Sequence, residues 1–244
     1  KMIATIINAV AIVVGGLLGL IIKGRFNKKL QAIASQATGL SVLVVGLNTA
    51  LTQLITQPCN SVLFVISLVV GGLIGTVINV EGRLQALGRW VEKKVGGRKG
   101  GVSRAFVTAT LLYCVGSMAV VGSIESGLHH NYSILLTKSI MDMIYAVIIA
   151  STLGYGVIFS AVSVFIYQGA ITILAGIVEP YLTGDIMREI ALVGGVLITG
   201  LGIDLLNIRK INVGNLLPAL LIPVFYYGIY YIIFSLKLLF ISHI

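Results

Sequence analysis

IATIINAVAIVVGGLLGLII, residues 3–22, runs for twenty residues without a charged side chain. A helix of that length covers roughly 30 Å, the thickness of the hydrocarbon core of a bilayer. Seven further apolar runs follow, at about 34–55, 61–79, 105–122, 134–152, 156–178, 189–207 and 213–235. They are continuous rather than alternating, which excludes the short dyad-patterned strands of a membrane barrel. The chain is 57% hydrophobic and 10% charged, with a mean hydropathy of +1.05. Soluble domains carry about 25% charged residues to stay in water. The expected fold is therefore an all-α polytopic membrane protein of about eight transmembrane helices. It is a single integral membrane domain over 1–244.

The net charge of +9 does not point to nucleic acid, because the basic residues sit in short loops between apolar runs. KGRFNKK (23–29) carries four cations. The segment 80–104 carries Arg83, Arg89, Lys93, Lys94, Arg98, Lys99 and Arg104 against Glu81 and Glu92, and NIRKIN (207–212) adds Arg209 and Lys210. With eight crossings these loops share one side. QPCN, SIESGLHHNYS and EPYLTGD, on the other side, are neutral or acidic. Lysine and arginine hold loops in the cytoplasm, so both termini are expected outside. The first run lacks a small-residue cleavage site and is followed by basic residues, so no signal peptide is expected. Cys59 and Cys114, without a CxxC, suggest neither a disulfide framework nor a zinc site.

Within 80–104, VEGRLQALGRWVEKKV places Val80, Leu84, Leu87, Val91 and Val95 on one helical stripe, with Trp90 beside it and basic residues opposite. That pattern predicts an interfacial amphipathic helix, most simply an anchor, followed by the basic linker GGRKGGVSR.

Internal similarity suggests a larger order. VVGGLLGLI (13–21) and VVGGLIGTV (69–77) share Gly-Gly-x-x-Gly, a spacing that lets helix backbones approach in lipid. GLSVLVVGLN (39–48) and GVLITGLGID (195–204) share two glycines seven apart, ending on Asn48 and Asp204. A weaker alignment pairs Gly16 with Gly169. Spans one to three (1–79) and six to eight (156–235) are thus candidates for an inverted repeat around the central pair (105–152). Inverted repeats are a recurrent transporter design.

The central pair carries the candidate chemistry. CVGSMAVVGSIESG (114–127) is a thin, weakly helical stretch containing Ser117, Ser123 and Glu125. Two readings stand: close helix packing, which small residues serve, or a broken or re-entrant helix lining a cavity. The cluster in GSIESG favours the second. Lys138 and Asp142, spaced i,i+4, share a face of span five. A mutual ion pair fixing helix rotation and a polar or ion pathway both fit, the pathway being the default for an intramembrane carboxylate. Asp204, Asn48 and Gln168 are further candidates for the lining of one pathway with Ser117 and Asp142. Asp204 lies close enough to Arg209 and Lys210 to be neutralised by them.

No HExxH, GxSxG, Walker loop or dinucleotide fingerprint is present, so no enzyme chemistry and no cofactor are expected. His129 and His130 are adjacent on a loop, without a ligand cluster for a metal.

Four stretches together resemble a bacterial family, domain of unknown function 554, the YdfK/YqgA-like inner-membrane proteins. They are YCVGSMAVVGSIESGL (113–128), KSIMDMIYAVIIASTLGYGVIFSA (138–161), YQGAITILAG (167–176) and VGGVLITGLGIDLLNIRKINVGNLLPAL (193–220). Members are described only as membrane or transport proteins, so the resemblance implies fold and inner-membrane location more than activity. It also implies that Ser117–Glu125 and Lys138–Asp142 are family features. Where the family carries asparagine after the span-seven glycine this chain has Asp204, so no family role carries over to that position.

The leading expectation is a small secondary transporter or channel for a small polar or ionic solute. Its central site would lie between a Gly/Ser-rich broken helix and a Lys/Asp-bearing helix. The alternative is a non-transporting scaffold, sensor or partner subunit. Expected partners are the lipid bilayer, the solute and, from the Gly-rich faces, a second copy in a homodimer.

Overall fold

An uncharged run in lipid has no water for its backbone groups, so it closes its own hydrogen bonds as a helix. The computed structural model describes residues 2–23, 28–56, 60–95, 101–114, 117–178 and 184–230, and among these there is no strand. The chain runs through α1 (Ile3–Lys23), α2 (Lys28–Thr56), α3 (Ser61–Ile78), α4 (Val80–Val95), α5 (Gly101–Cys114), α6 (Ser117–Leu128), α7 (Ser133–Leu153), α8 (Gly156–Val178) and α9 (Gly184–Leu205). The last segment, Val213–Tyr230, begins as α10 (Val213–Leu216) and a 3-10 turn (Leu217–Leu220). Pro218 opens that turn, where it lacks the N–H an α-helix would need. Seven of the described helical segments are long and apolar enough to cross a membrane, and α5 with α6 makes an eighth. The protein is an all-α, multi-pass membrane protein.

Glycine contacts fix the directions of the crossings. A Cβ on Gly15 or Gly19 of α1 would collide with the Met143 or Val147 carbonyl of α7, so these two helices run parallel. On α2, Gly46 meets the Thr199 backbone and Gly39 meets Leu206, which makes α2 and α9 antiparallel. Gly71 and Gly75 of α3 lie on Ala219 and Asn215, again antiparallel. The Thr5–Thr172 and Gly16–Ile158 contacts set α1 antiparallel to α8. Each of the first three spans therefore packs against one of the last three, in the opposite direction. The offset that carries Gly39 onto Gly195 and Gly46 onto Gly202 also carries the Gly46–Thr199 contact onto Gly202–Leu43. It carries Gly195–Ala50 onto Gly39–Leu206 as well.

The fourth span is broken, yet it crosses. Val102–Cys114 and Met118–Leu128 meet at 60°. Gly156 at the start of α8 presses on Val102 and Ala105 of α5, while Gly127 at the end of α6 presses on Thr172 and Ala175 near the far end of α8. The two helices thus climb α8 in one direction, as a bent crossing does and a re-entrant hairpin does not.

Several boundaries differ from the sequence reading, among them the start of α2 at Lys28 rather than near 34, which puts Lys28 and Lys29 of the expected loop on the helix. α9 starts at Gly184 rather than near 189, and its first turns carry Asp185, Arg188 and Glu189. Buried Glu189 accepts the Asn60 N–H at 2.8 Å, and Arg188 meets Asp185 at 3.1 Å. Arg104, expected in a linker, lies on α5, which begins at Gly101; residues 96–100 of that linker lie outside the described residues. α3 and α4 are joined by Asn79 alone. It takes the left-handed conformation (φ 56°), donates its N–H back to α3, and accepts the Gly82 N–H through Oδ1 at 3.2 Å.

The glycines behind the expected homodimer are used inside the chain. Gly15, Gly16 and Gly19 face α7 and α8, and Gly71, Gly72 and Gly75 face the last segment. The outward faces of α1 and α3 instead present large apolar residues such as Leu17, Ile21, Val69 and Leu73.

Candidate functional site

Lys138 and Asp142 project one turn apart from α7 and are almost wholly buried. The Lys138 ammonium meets Asp142 Oδ2 at 2.5 Å. Asp142 lies nine residues into its helix, about 14 Å from that end, so the pair sits near mid-membrane. A lone charge there costs at least about 2.5–3.5 kcal/mol, which the pairing relieves.

Two helices the central pair does not contain complete the cluster. Asn8 of α1 donates through Nδ2 to Asp142 Oδ2 and to Gln168 Oε1 of α8, both at 3.1 Å. Thr5 and Thr172 bridge the same two helices a turn away, at 3.4 Å between hydroxyls. Thr5, Asn8, Gln168 and Thr172 are all buried. The carboxylate fixes the polarity of this chain of amides. It can only accept, so Asn8 must offer its NH2, Gln168 must offer its carbonyl, and the Gln168 NH2 is left over. Among the described residues Gln168 Nε2 and Asn8 Oδ1 have no hydrogen-bond partner. Neither does the hydroxyl of buried Tyr113, whose ring lies 5.9 Å from Lys138 Nζ. Tyr113 is in the last turn of α5, so the ammonium stands beside the break in span four, where the helix dipole favours a cation.

The glycine contacts explain why these groups meet. Gly15 and Gly19 let α1 lie against Ala146 and Ala150 of α7, and that close seam carries Asn8 to Asp142.

The structure thus gathers Lys138, Asp142 and Gln168 and leaves the other candidates elsewhere. Ser123 is buried on α6 and donates to the Ala119 carbonyl at 2.6 Å, the ordinary use of a serine inside a helix. Glu125 lies near the end of α6, within 3.4 Å of His129. Asn48 is exposed on α2. The side chain of Ser117 lies outside the described residues. Asp204 pairs with Arg104 at 3.1 Å rather than with Arg209 or Lys210. Among the described residues no His, Cys, Asp and Glu group is arranged to hold a metal.

Asp204 and Arg104 belong to a second feature, a cavity of about 960 Å³ on the basic side of the protein. One wall is α4, which turns Glu81, Gln85, Arg89 and Lys93, an i,i+4 row, into it. α4 is therefore more than an anchor: it packs against α5, and its polar face lines a vestibule. The opposite walls descend from Ser103 to Leu111 on α5 and from Asn207, just beyond α9, to Leu201 within it. Leu111 is two residues from Tyr113, about 3 Å along the helix. Lys138, Asp142 and Gln168 do not line this cavity.

The sequence matches the family model described as "Protein of unknown function (DUF554)" over residues 3–228, which include the whole cluster. The chain belongs to this family. It is 38% identical over 222 residues to the uncharacterized membrane protein YdfK of Bacillus subtilis (strain 168), covering 91% of this chain and 94% of that protein. It is 28% identical over 223 residues to the uncharacterized protein YqgA of Escherichia coli (strain K12), covering 88% and 92%. No solved structure matches.

Proposed function

We propose that this family member is a small secondary transporter or channel. It would move a small polar or ionic solute across the bacterial inner membrane through the site at Asn8, Lys138, Asp142 and Gln168. The observation that carries the reading is a buried ion pair at mid-membrane whose amide neighbours keep an unused donor and an unused acceptor. Intramembrane charges of this kind mark substrate and ion pathways by default. The break in span four adjoins the site, as discontinuous helices do in transporters. Spans one to three pair antiparallel with spans six to eight, and the glycine match shares its offset with their contacts. Both features support an inverted repeat, whose interface is the usual place for a transport site. By the charge rule the vestibule side is cytoplasmic, which sets the first residues of α1 and the end at Tyr230 outside. The activity needs no covalent chemistry and no cofactor.

One observation favours a second reading, a non-transporting scaffold, sensor or partner subunit. The cluster is closed, and no residue of it is more than slightly exposed. As a transporter the described state is occluded; as a scaffold the cluster is a polar clasp. Solute uptake and ion flux in proteoliposomes, wild type against Asp142→Asn, separate the two. Transport predicts flux in the wild type that the variant loses. Equal flux in both, across solutes and pH gradients, removes Asp142 from any pathway.

A further inference from the structure

The vestibule has more cations than its own carboxylates use. Glu81 is committed twice, accepting the Gly214 N–H at 2.8 Å and the Gln85 amide at 2.9 Å. Asp204 is committed to Arg104. That leaves Arg89, Lys93 and Lys210 facing the cavity with no carboxylate at ion-pair distance among the described residues. Below this rim the polarity falls away. Ser103 and Arg104 give way to Val107, Thr108 and Leu111 on α5, Thr108 being the one hydroxyl there, and Asn207 gives way to Leu201 of α9. A cavity of about 960 Å³ has the size of a site for a drug-sized molecule and is far larger than a bare anion fills.

A cationic rim over an apolar floor, at the basic end of a helical bundle, is complementary to an anionic amphiphile. Basic pockets between membrane helices recognise lipid headgroups in this way. We propose that the vestibule is a binding site for a phosphate-bearing amphiphile. Its phosphate lies at Arg89, Lys93 and Lys210, and its hydrocarbon lies on Val107, Leu111 and Leu201. The inner leaflet is the nearest source, and a soluble phosphate compound would offer the same charge without the tail. The site is independent of the transport reading, because binding is read directly and does not require flux.

The test is native mass spectrometry of the full chain in detergent with equal amounts of phosphatidylglycerol and phosphatidylcholine. The expected result is preferential retention of phosphatidylglycerol. Each interfacial cation is worth about fivefold, so the Arg89→Gln, Lys93→Gln, Lys210→Gln variant should lose on the order of a hundredfold. A control variant neutralises Lys29, Arg83 and Arg209, three exposed basic residues that do not line the cavity, and should retain the preference. Thr108→Trp, which fills the floor, should displace the lipid while the cationic rim remains. Equal retention of the two lipids, or equal loss in the control variant, overturns the proposal. Displacement of the lipid by millimolar inorganic phosphate would reduce the vestibule to a free-anion site and overturn the amphiphile.

Discussion

Two of the seams that hold this bundle together, both built on glycine, differ in what they enclose. Between α2 and α9, Gly39, Gly46, Gly195 and Gly202 bring antiparallel backbones together, and the nearest atoms belong to Leu206, Thr199, Ala50 and Leu43. Between α1 and α7, Gly15 and Gly19 do the same for parallel helices. One turn beyond the alanines that receive them, that second seam opens onto a lysine, a carboxylate and two amides. Close packing alone would be served by the first design. The second adds groups that are expensive in a membrane unless they pair or face water.

The sharpest way to break this comparison is to remove one charge. Lys138→Met leaves Asp142 buried and unpaired, and the expected loss is about 3–5 kcal/mol in reversible unfolding. Lys138→Met with Asp142→Leu removes the pair together. The double variant should recover most of that loss, because apolar replacement of a buried pair is often neutral or better. Recovered stability with lost flux would mark the pair as functional. A double variant as unstable as the single one would make it a structural clasp.

The dry seam predicts the next largest effect. A valine at Gly202 would press on the Leu43 backbone, and one at Gly19 on the Val147 carbonyl. Each should cost about 1–3 kcal/mol or more, because backbone gives way less readily than a flexible side chain. Gly202→Val should lower stability and leave the α1–α7 site chemically intact. Gly19→Val should lower stability and, on the proposed transport reading, flux with it, since α1 carries Asn8. Thermal unfolding paired with uptake assays compares them.

Asn8→Leu then probes the polar seam without touching a charge. It removes a donor from Asp142 and strands the Gln168 carbonyl, at an expected cost of about 1.5–3 kcal/mol. Gln168→Leu strands only the second Asn8 donor and should cost less. The reverse order, measured by unfolding in one detergent, would mean that Gln168 rather than Asn8 anchors the network.

Much of the bundle was legible in the sequence for a simple reason. Uncharged runs of bilayer length and alternating basic loops report on the solvent, not on tertiary detail, so the eight crossings and the common basic side could be read from them. Lys138 and Asp142 were legible because an i,i+4 pair is local. Asn8 is legible only as a lone amide in a twenty-residue uncharged run. Its importance comes from a contact 134 residues away. Tyr113 and Thr172 gave no signal at all, since each matters only through the neighbour it meets. The row Glu81, Gln85, Arg89, Lys93 was visible as a periodicity, but only the packing of α4 against α5 turns it into a cavity wall. Asp204 was legible as a carboxylate and misleading as a partner: nearby Arg209 and Lys210 are close in sequence, while Arg104 is close in space.

That last pair gives the smallest expected effect and the clearest contrast with the buried one. Arg104 and Asp204 meet at 3.1 Å, as an ordinary ion pair does, but their side chains are 44% and 24% exposed, against 9% and 6% for Lys138 and Asp142. Water and salt screen such a pair, so Arg104→Gln should change stability by less than about 1 kcal/mol, and less still at high salt. The difference from Lys138→Met isolates burial as the cause, since both substitutions leave a carboxylate without its cation. Arg104 also donates to the Asp204 backbone carbonyl at 3.0 Å, a bond the shorter glutamine loses as well, but at this half-exposed position water can take its place. A loss of several kcal/mol in Arg104→Gln would therefore show the vestibule wall to be as dry as the central seam, and unfolding at low and high salt would reveal it.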